Sequence, residues 1–211
     1  GLSAGDQGRK RTILKFDAIG LLAALVVVCV LFSNLSPYFF SFQNFANISS
    51  ATSYIGITAA ISTILIIGGA FDLSIAAVMA ISGVTVAHLT MMNHWPWYLA
   101  IGAALGIGAI VGLVNGFFVS YIGINALIVT IGTQFVVRGV GYAMAGGQDI
   151  RIDSKPILWV GQRSVFGYPI AGLLAIAVFC FCGFLMKYTA FGKHVLAIGG
   201  APAAARLVGV N

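Results

Sequence analysis

Two ionisable side chains lie well inside apolar stretches of this chain, Asp72 and Arg138, and any chemistry within the membrane-length segments has to begin from them. Asp72 sits in Gly68-Gly69-Ala70-Phe71-Asp72-Leu73-Ser74-Ile75. A carboxylate there is costly in lipid, so it must face protein, water or the interface. Gly68 and Gly69 permit a break in a helix, after which Asp72 is expected as the N-cap of the next segment. Capping and service as a polar element of a path through the membrane are compatible roles, and both stay open. Arg138 lies in Gln134-Phe135-Val136-Val137-Arg138-Gly139. A lipid-facing guanidinium costs several kcal/mol, so interior placement near Gln134 and Asn115 is expected over snorkelling, with a structural role ahead of ligand contact.

Other chemistries are excluded by spacing. His88, His94 and His194 fall on different segments without zinc spacing, and no metal or cofactor is expected. Cys29, Cys180 and Cys182 lie inside apolar runs, where buried packing is expected. The chain has no G-x-x-x-x-G-K-[ST] phosphate loop, and no soluble-enzyme motif survives inspection. Gly102, Gly106, Gly108, Gly112 and Gly116 form a small-residue stripe, read as tight packing within the subunit ahead of a dimer interface.

The elements that hold these residues are apolar helices. Of 211 residues, 60% are hydrophobic and 8% charged, and glutamate is absent. Mean hydropathy is +1.03. Too little charge remains to cover a soluble domain. The apolar residues come in several runs, the longer ones of roughly 18 to 25, the length that crosses hydrocarbon at about 1.5 Å per residue. The runs are Ala18–Phe32, Ala51–Ile67, Leu73–Met92, Tyr98–Tyr121, Ala126–Ala145 and Tyr168–Met186. An all-α, polytopic membrane bundle of about six transmembrane helices follows. Residues 1–17 form a polar tail, 18–187 the transmembrane domain, and 188–211 a further segment.

Basic residues set the orientation. With the N-terminus inside, Arg9, Lys10, Arg11, Lys15, Lys187, Lys193 and Arg206 all fall inside, while Arg151, Lys155 and Arg163 fall outside beside Asp149 and Asp153. Trp95, Trp97 and Tyr98 then lie at an outer interface. The sizeable polar stretch near 146–167 becomes an outer loop. The net charge of +6 thus marks topology and lipid contact rather than nucleic acid, because the cations sit at run ends and not in one stripe. No small-x-small cleavage site follows the first run, so an uncleaved first helix is expected.

After the sixth run, Pro202 suits a first helical turn, Ala203, Ala204 and Ala205 propagate it, and Gly209 stops it. A short amphipathic helix over Pro202–Val208 is expected, either lying on the membrane or docking into a partner.

These residues also carry a family resemblance. Gly69-Ala70-Phe71-Asp72-Leu73-Ser74 resembles the G-G-I-D-L-S element of permease subunits of bacterial ABC importers for monosaccharides, the ribose/xylose/galactose branch. Gly112-Leu113-Val114-Asn115-Gly116 resembles the G-x-x-N-G element of that family. Ile128-Val129-Thr130-Ile131-Gly132-Thr133, with Arg138-Gly139 and Gly146-Gly147, is similar to I-V-T-L-G-T…R-G…G-G. Thr189 to Asn211 resembles the family's T-x-F-G-R-x-x-x-A-I-G-G-N-x-E-A-A-R-L-x-G-I-N loop. Departures are Ala203 for Glu, Ala201 for Asn, Ala70 for a glycine, and Ile75-Ala76 for Val-Gly after the aspartate. Family members continue past this point, so a fragment or truncated product is expected.

The resemblance implies a membrane-spanning subunit of the bacterial inner membrane that moves a monosaccharide and is not itself an enzyme. Energy would come from cytoplasmic ATP-binding-cassette ATPase subunits, and sugar from a periplasmic sugar-binding protein. A second permease, identical or homologous, would complete the pair. Gly200, Pro202, Ala204, Ala205, Arg206, Leu207 and Gly209 would form a cytoplasmic coupling helix on the ATPase. Neutral hydrogen-bonding groups suit a sugar, so Asn115, Asn125, Thr130 and Gln134 join Asp72 and Arg138 as candidates for the path or the substrate. Rival readings are an ion-coupled secondary transporter or channel fragment, disfavoured because Asp72 stands alone among intramembrane acids, and a non-transporting membrane scaffold.

Overall fold

The computed structural model describes residues 4–210, with side chains described at 19–159, 161 and 163–210. The basic cluster Arg9, Lys10, Arg11 and Lys15 lies outside the described side chains. The described helices are α1 (Ala4–Leu35), α2 (Phe42–Ile67), α3 (Ile75–Met91), α4 (Trp97–Gly116), α5 (Ala126–Ala145), α6 (Lys155–Gln162), α7 (Ile170–Tyr188), α8 (Ala190–Gly200) and α9 (Pro202–Leu207). A π turn at Phe117–Tyr121 extends α4. The two-residue strands β1 (Ser164–Val165) and β2 (Tyr168–Pro169) pair antiparallel.

Each of the six apolar runs is mostly helical, although Leu73 and Ser74 precede α3 and Tyr168 and Pro169 form β2. Among the described residues, α2, α4 with its π turn, α5 and α7 are long and apolar enough to cross a membrane. The Ile19–Leu35 part of α1 and Ile75–Met91 are apolar but shorter. The chain is an all-α, multi-pass membrane protein, and its apolar exterior agrees with a hydrocarbon solvent.

The chain divides into residues 1–48 and 49–211. In the first unit, Phe32 stacks on Phe39 with ring centroids 6.0 Å apart, and Asn44 Nδ2 donates to the Phe39 carbonyl at 2.7 Å. These contacts close the turn that follows α1.

In the second unit, α3 packs along both α4 and α5. Buried Ala77, Ile81 and Val137 form its core, flanked by Val78, Ile107, Val111 and Met144. Small residues set this spacing: a Cβ on Gly108 would lie 3.7 Å from Val78, and one on Gly141 would lie 3.7 Å from Ile81. The rest of the glycine stripe does not behave as expected. Among the described residues nothing lies within 4 Å of a Cβ placed on Gly102, Gly106, Gly112 or Gly116, so packing within the subunit accounts for Gly108 alone. The cysteines also diverge from expectation: Cys182 is buried, Cys29 half-buried and Cys180 exposed on α7, facing outward with neighbouring Phe179 and Phe181.

Helices α2 and α7 meet at one tight point. Ser49 Oγ and Tyr168 Oη are 2.8 Å apart, and a Cβ on Gly172 would stand on Ser49 Oγ and 3.0 Å from the Tyr168 ring. Gly172→Ala is therefore expected to destabilise by about 1–3 kcal/mol through overpacking. Ser49→Ala should rescue part of that loss, read as a non-additive double-mutant cycle in thermal unfolding in detergent. Strict additivity would contradict the contact.

Candidate functional site

The segment between α2 and α3 is held open by backbone geometry. Gly69 has φ +82°, and the chain runs irregularly from Gly68 to Ser74 before α3 begins. Asp72 does not cap α3 as expected. Ser74 holds the N-cap position, while Asp72 lies two residues earlier and folds back on it. Asp72 Oδ1 accepts from the Ser74 N–H at 2.7 Å and from the Ser74 hydroxyl at 2.6 Å. An aspartate bonding the backbone two residues on makes a local turn of its own. The break is simply longer than the sequence suggested, so the carboxylate organises the capping residue instead of the helix.

From Ser74 the bonding continues into two other helices. Asn115 Nδ2 on α4 donates to Ser74 Oγ at 3.0 Å, and Thr133 Oγ1 on α5 donates to Asn115 Oδ1 at 2.7 Å. The direction is fixed by the carboxylate. An ionised Asp72 only accepts, so Ser74 must donate to it and accept from the Asn115 amide, whose oxygen is left for Thr133. Ser74 is 1% exposed and Asn115 is 6% exposed. Charge-assisted bonds at the carboxylate end are the strongest links of such a row.

Around this row lie two cavities. One of about 280 Å³ is lined by Phe71, Asp72, Asn115, Ser120 and Thr130 among others. The second, about 230 Å³, lies against Asp72, Ser74, Ile75 and Val111. Asp72 borders both. Of the expected site residues, Asp72, Asn115 and Thr130 are thus brought together. Thr130 is 3% exposed and donates to the Ala126 carbonyl at 2.8 Å within its own helix. Asn125 instead caps α5, accepting from the Leu127 N–H at 2.9 Å. Gln134 is half-buried one residue past Thr133. Arg138 is exposed and does not reach Asn115. It lines a separate cavity of about 220 Å³ with Ile81, Tyr142, Gln148 and Asp149. Ser74 and Thr133 were not among the expected site residues, although both lie inside the motifs quoted for the family resemblance.

At the other focus of interest, Thr189 ends α7 and starts α8. Its hydroxyl donates to the Leu185 carbonyl at 2.6 Å and accepts from the Gly192 N–H at 3.4 Å. Helix α9 spans Pro202–Leu207, one residue short of the expected Pro202–Val208, and Gly209 follows with φ +81°. Ala205 is buried, whereas Leu207 and Val208 are 89% and 77% exposed. Arg206 is exposed beside them.

Residues 44–211 match the family described as "Branched-chain amino acid transport system / permease component". The chain belongs to this permease family. It is 35% identical over 213 residues to the L-arabinose transport system permease protein AraH of Escherichia coli (strain K12), covering 99% of this chain and 65% of that protein. It is 30% identical over 194 residues to the ribose import permease protein RbsC of the same organism, covering 90% and 60%. With the probable ABC transporter permease protein YphD, also of Escherichia coli (strain K12), identity is 31% over 211 residues, covering 97% and 63%. This permease chain therefore spans 60–65% of the length of these three curated relatives. No solved structure matches it.

Asn115 carries two links of the polar row and Thr133 one. Asn115→Leu is expected to remove the acceptor of the Thr133 hydroxyl and leave Ser74 Oγ with its bond to Asp72 alone, at a cost of about 1–3 kcal/mol. Thr133→Val should cost about 0.6 kcal/mol, near the average interhelical bond in a membrane protein. Thermal unfolding in detergent reads the order, and equal losses would contradict the row.

Proposed function

We propose that this chain forms membrane-spanning segments of an ATP-binding-cassette importer that moves a monosaccharide across the bacterial inner membrane. It hydrolyses no ATP itself. The work comes from cytoplasmic ATPase partners, sugar arrives on a periplasmic binding protein, and a second permease, identical or homologous, completes the path. The arabinose and ribose permeases among its relatives support the substrate class. So does the chemistry of the 280 Å³ cavity, whose lining offers Phe71, neutral Asn115, Ser120 and Thr130, and a carboxylate already engaged by Ser74. That lining contains no cation, and a zwitterionic amino acid would bring a carboxylate with nothing to pair it. Gln134 and Arg138 extend the candidate path along α5, with Asn125 closing its start as a cap.

The observation that carries the reading is helix α9. It presents Arg206, Leu207 and Val208 outward on a short, glycine-bounded element that buries Ala205. Exposed apolar residues beside a cation on a rigid helix suit a groove in a partner. Placing α9 on the cytoplasmic side puts Lys187, Lys193 and Arg206 there, and with the intervening crossings puts the N-terminus and its basic cluster there too. The loop of residues 146–167, with Trp159 stacked beneath Arg163 at 4.0 Å, then faces the periplasm.

Arg206→Ala combined with Leu207→Asp, in the assembled complex, is expected to leave ATP hydrolysis running while ATP-driven sugar uptake falls at least roughly tenfold, the scale of one interface anchor. Unchanged uptake per ATP would overturn the assignment.

A further inference from the structure

Helix α8 was not separately foreseen in the sequence, and its glycines explain what it does. A Cβ on Gly192 would stand on the Met186 carbonyl, so α8 turns tightly against the end of α7. A Cβ on Gly199 would stand on the carbonyl oxygen of Ile67, the last residue of α2. Beside it, a Cβ on Gly68 would lie 3.6 Å from Val195 Cγ1. The far end of α8 is thus seated, backbone to backbone, on the end of α2. Only Ala201 separates α8 from α9. On the other side, only Gly68 to Phe71 separate Ile67 from Asp72, which anchors the polar row into α4 and α5.

We infer that α8 and the end of α2 form one rigid joint, with Gly199 and Gly68 as its positioning residues, and that the joint delivers displacement of α9 to the Asp72–Ser74 break. The inference rests on the reading of α9 as the element gripped by an ATPase, and it adds the route by which that grip reaches the cavity. A backbone-on-backbone seat has no long side chains to yield, so a push at α9 moves Ile67. The positive φ of Gly69 marks the adjoining hinge, where the chain changes direction without steric cost. Displacing this segment moves Asp72, and with it Ser74, whose bond to Asn115 reports the shift to α4.

The test locks the joint. In the assembled complex, with Cys29, Cys180 and Cys182 replaced by alanine, Gly68→Cys and Val195→Cys are introduced together and oxidised. A Cβ at position 68 lies 3.6 Å from a γ position of residue 195, so the disulfide is expected to form. If α8 and α2 move as one body, ATP-driven import stays within about twofold of the reduced protein. Import that falls roughly tenfold on oxidation and returns with reductant would show sliding between the helices, and would overturn the inference. Failure of the thiols to pair would overturn it as well. Gly199→Ala gives a second readout: import is expected to fall at least roughly tenfold while ATP hydrolysis continues, because the methyl group lifts α8 off Ile67. Unaltered import in that variant would count against the joint. Absence of ATP-driven import by the unmodified complex would overturn the importer reading and this inference together, whereas loss confined to the locked protein overturns the joint alone.

Discussion

A carboxylate within a membrane-length apolar sequence has to be compensated by its own chain, and this constraint organises the centre of the molecule. One oxygen of Asp72 takes both donors of Ser74, and the lone pair left on Ser74 takes the amide of Asn115. Thr133 completes the row from α5. Four polar side chains that would each be costly in lipid are satisfied by one another, at the place where the helical ladder of α2 and α3 is interrupted. Irregular backbone at membrane depth is tolerated where it is buried in protein or lines a cavity, and two cavities border Asp72.

The same break is approached from the opposite direction by α8. Close backbone contact in membrane proteins usually comes from small residues, and here Gly199 allows α8 to rest on the Ile67 carbonyl. The element that presents Arg206, Leu207 and Val208 is therefore connected to the polar row through a few residues of chain rather than through a long side-chain network. Glycine serves two distinct purposes in this short stretch: positive φ at Gly69 and Gly209, and close approach at Gly68, Gly192 and Gly199.

Much of the architecture was legible because apolar length is a strong signal. The runs Tyr98–Tyr121 and Ala126–Ala145 match α4 with its π turn and α5 to within a residue. The isolated Asp72 and the N-G pair at Asn115 pointed to the site without its wiring. Hydrogen bonds between helices depend on rotation about each helix axis, which hydropathy does not encode, so Ser74 and Thr133 went unmarked and Asp72 was placed as a cap. Arg138 was expected near Asn115 but lines the cavity of Tyr142 and Asp149, about 1.4 turns further along α5 than Thr133. Helix α8 was hidden because three glycines in eleven residues argue against a helix by propensity, and tertiary contact overrides that preference.

The most direct measurement of this account is amide hydrogen exchange at Ser74, compared between the native chain and Asp72→Ala. Ser74 precedes α3 and has no helical partner for its N–H, which donates to the Asp72 carboxylate instead, so the difference between the two proteins isolates that bond. A hydrogen bond to a charged acceptor is worth about 1.5–3 kcal/mol, which predicts exchange slower by about tenfold to a hundredfold in the native chain. Equal exchange in the two proteins would show that Asp72 does not hold the break, and the polar row would lose its anchor.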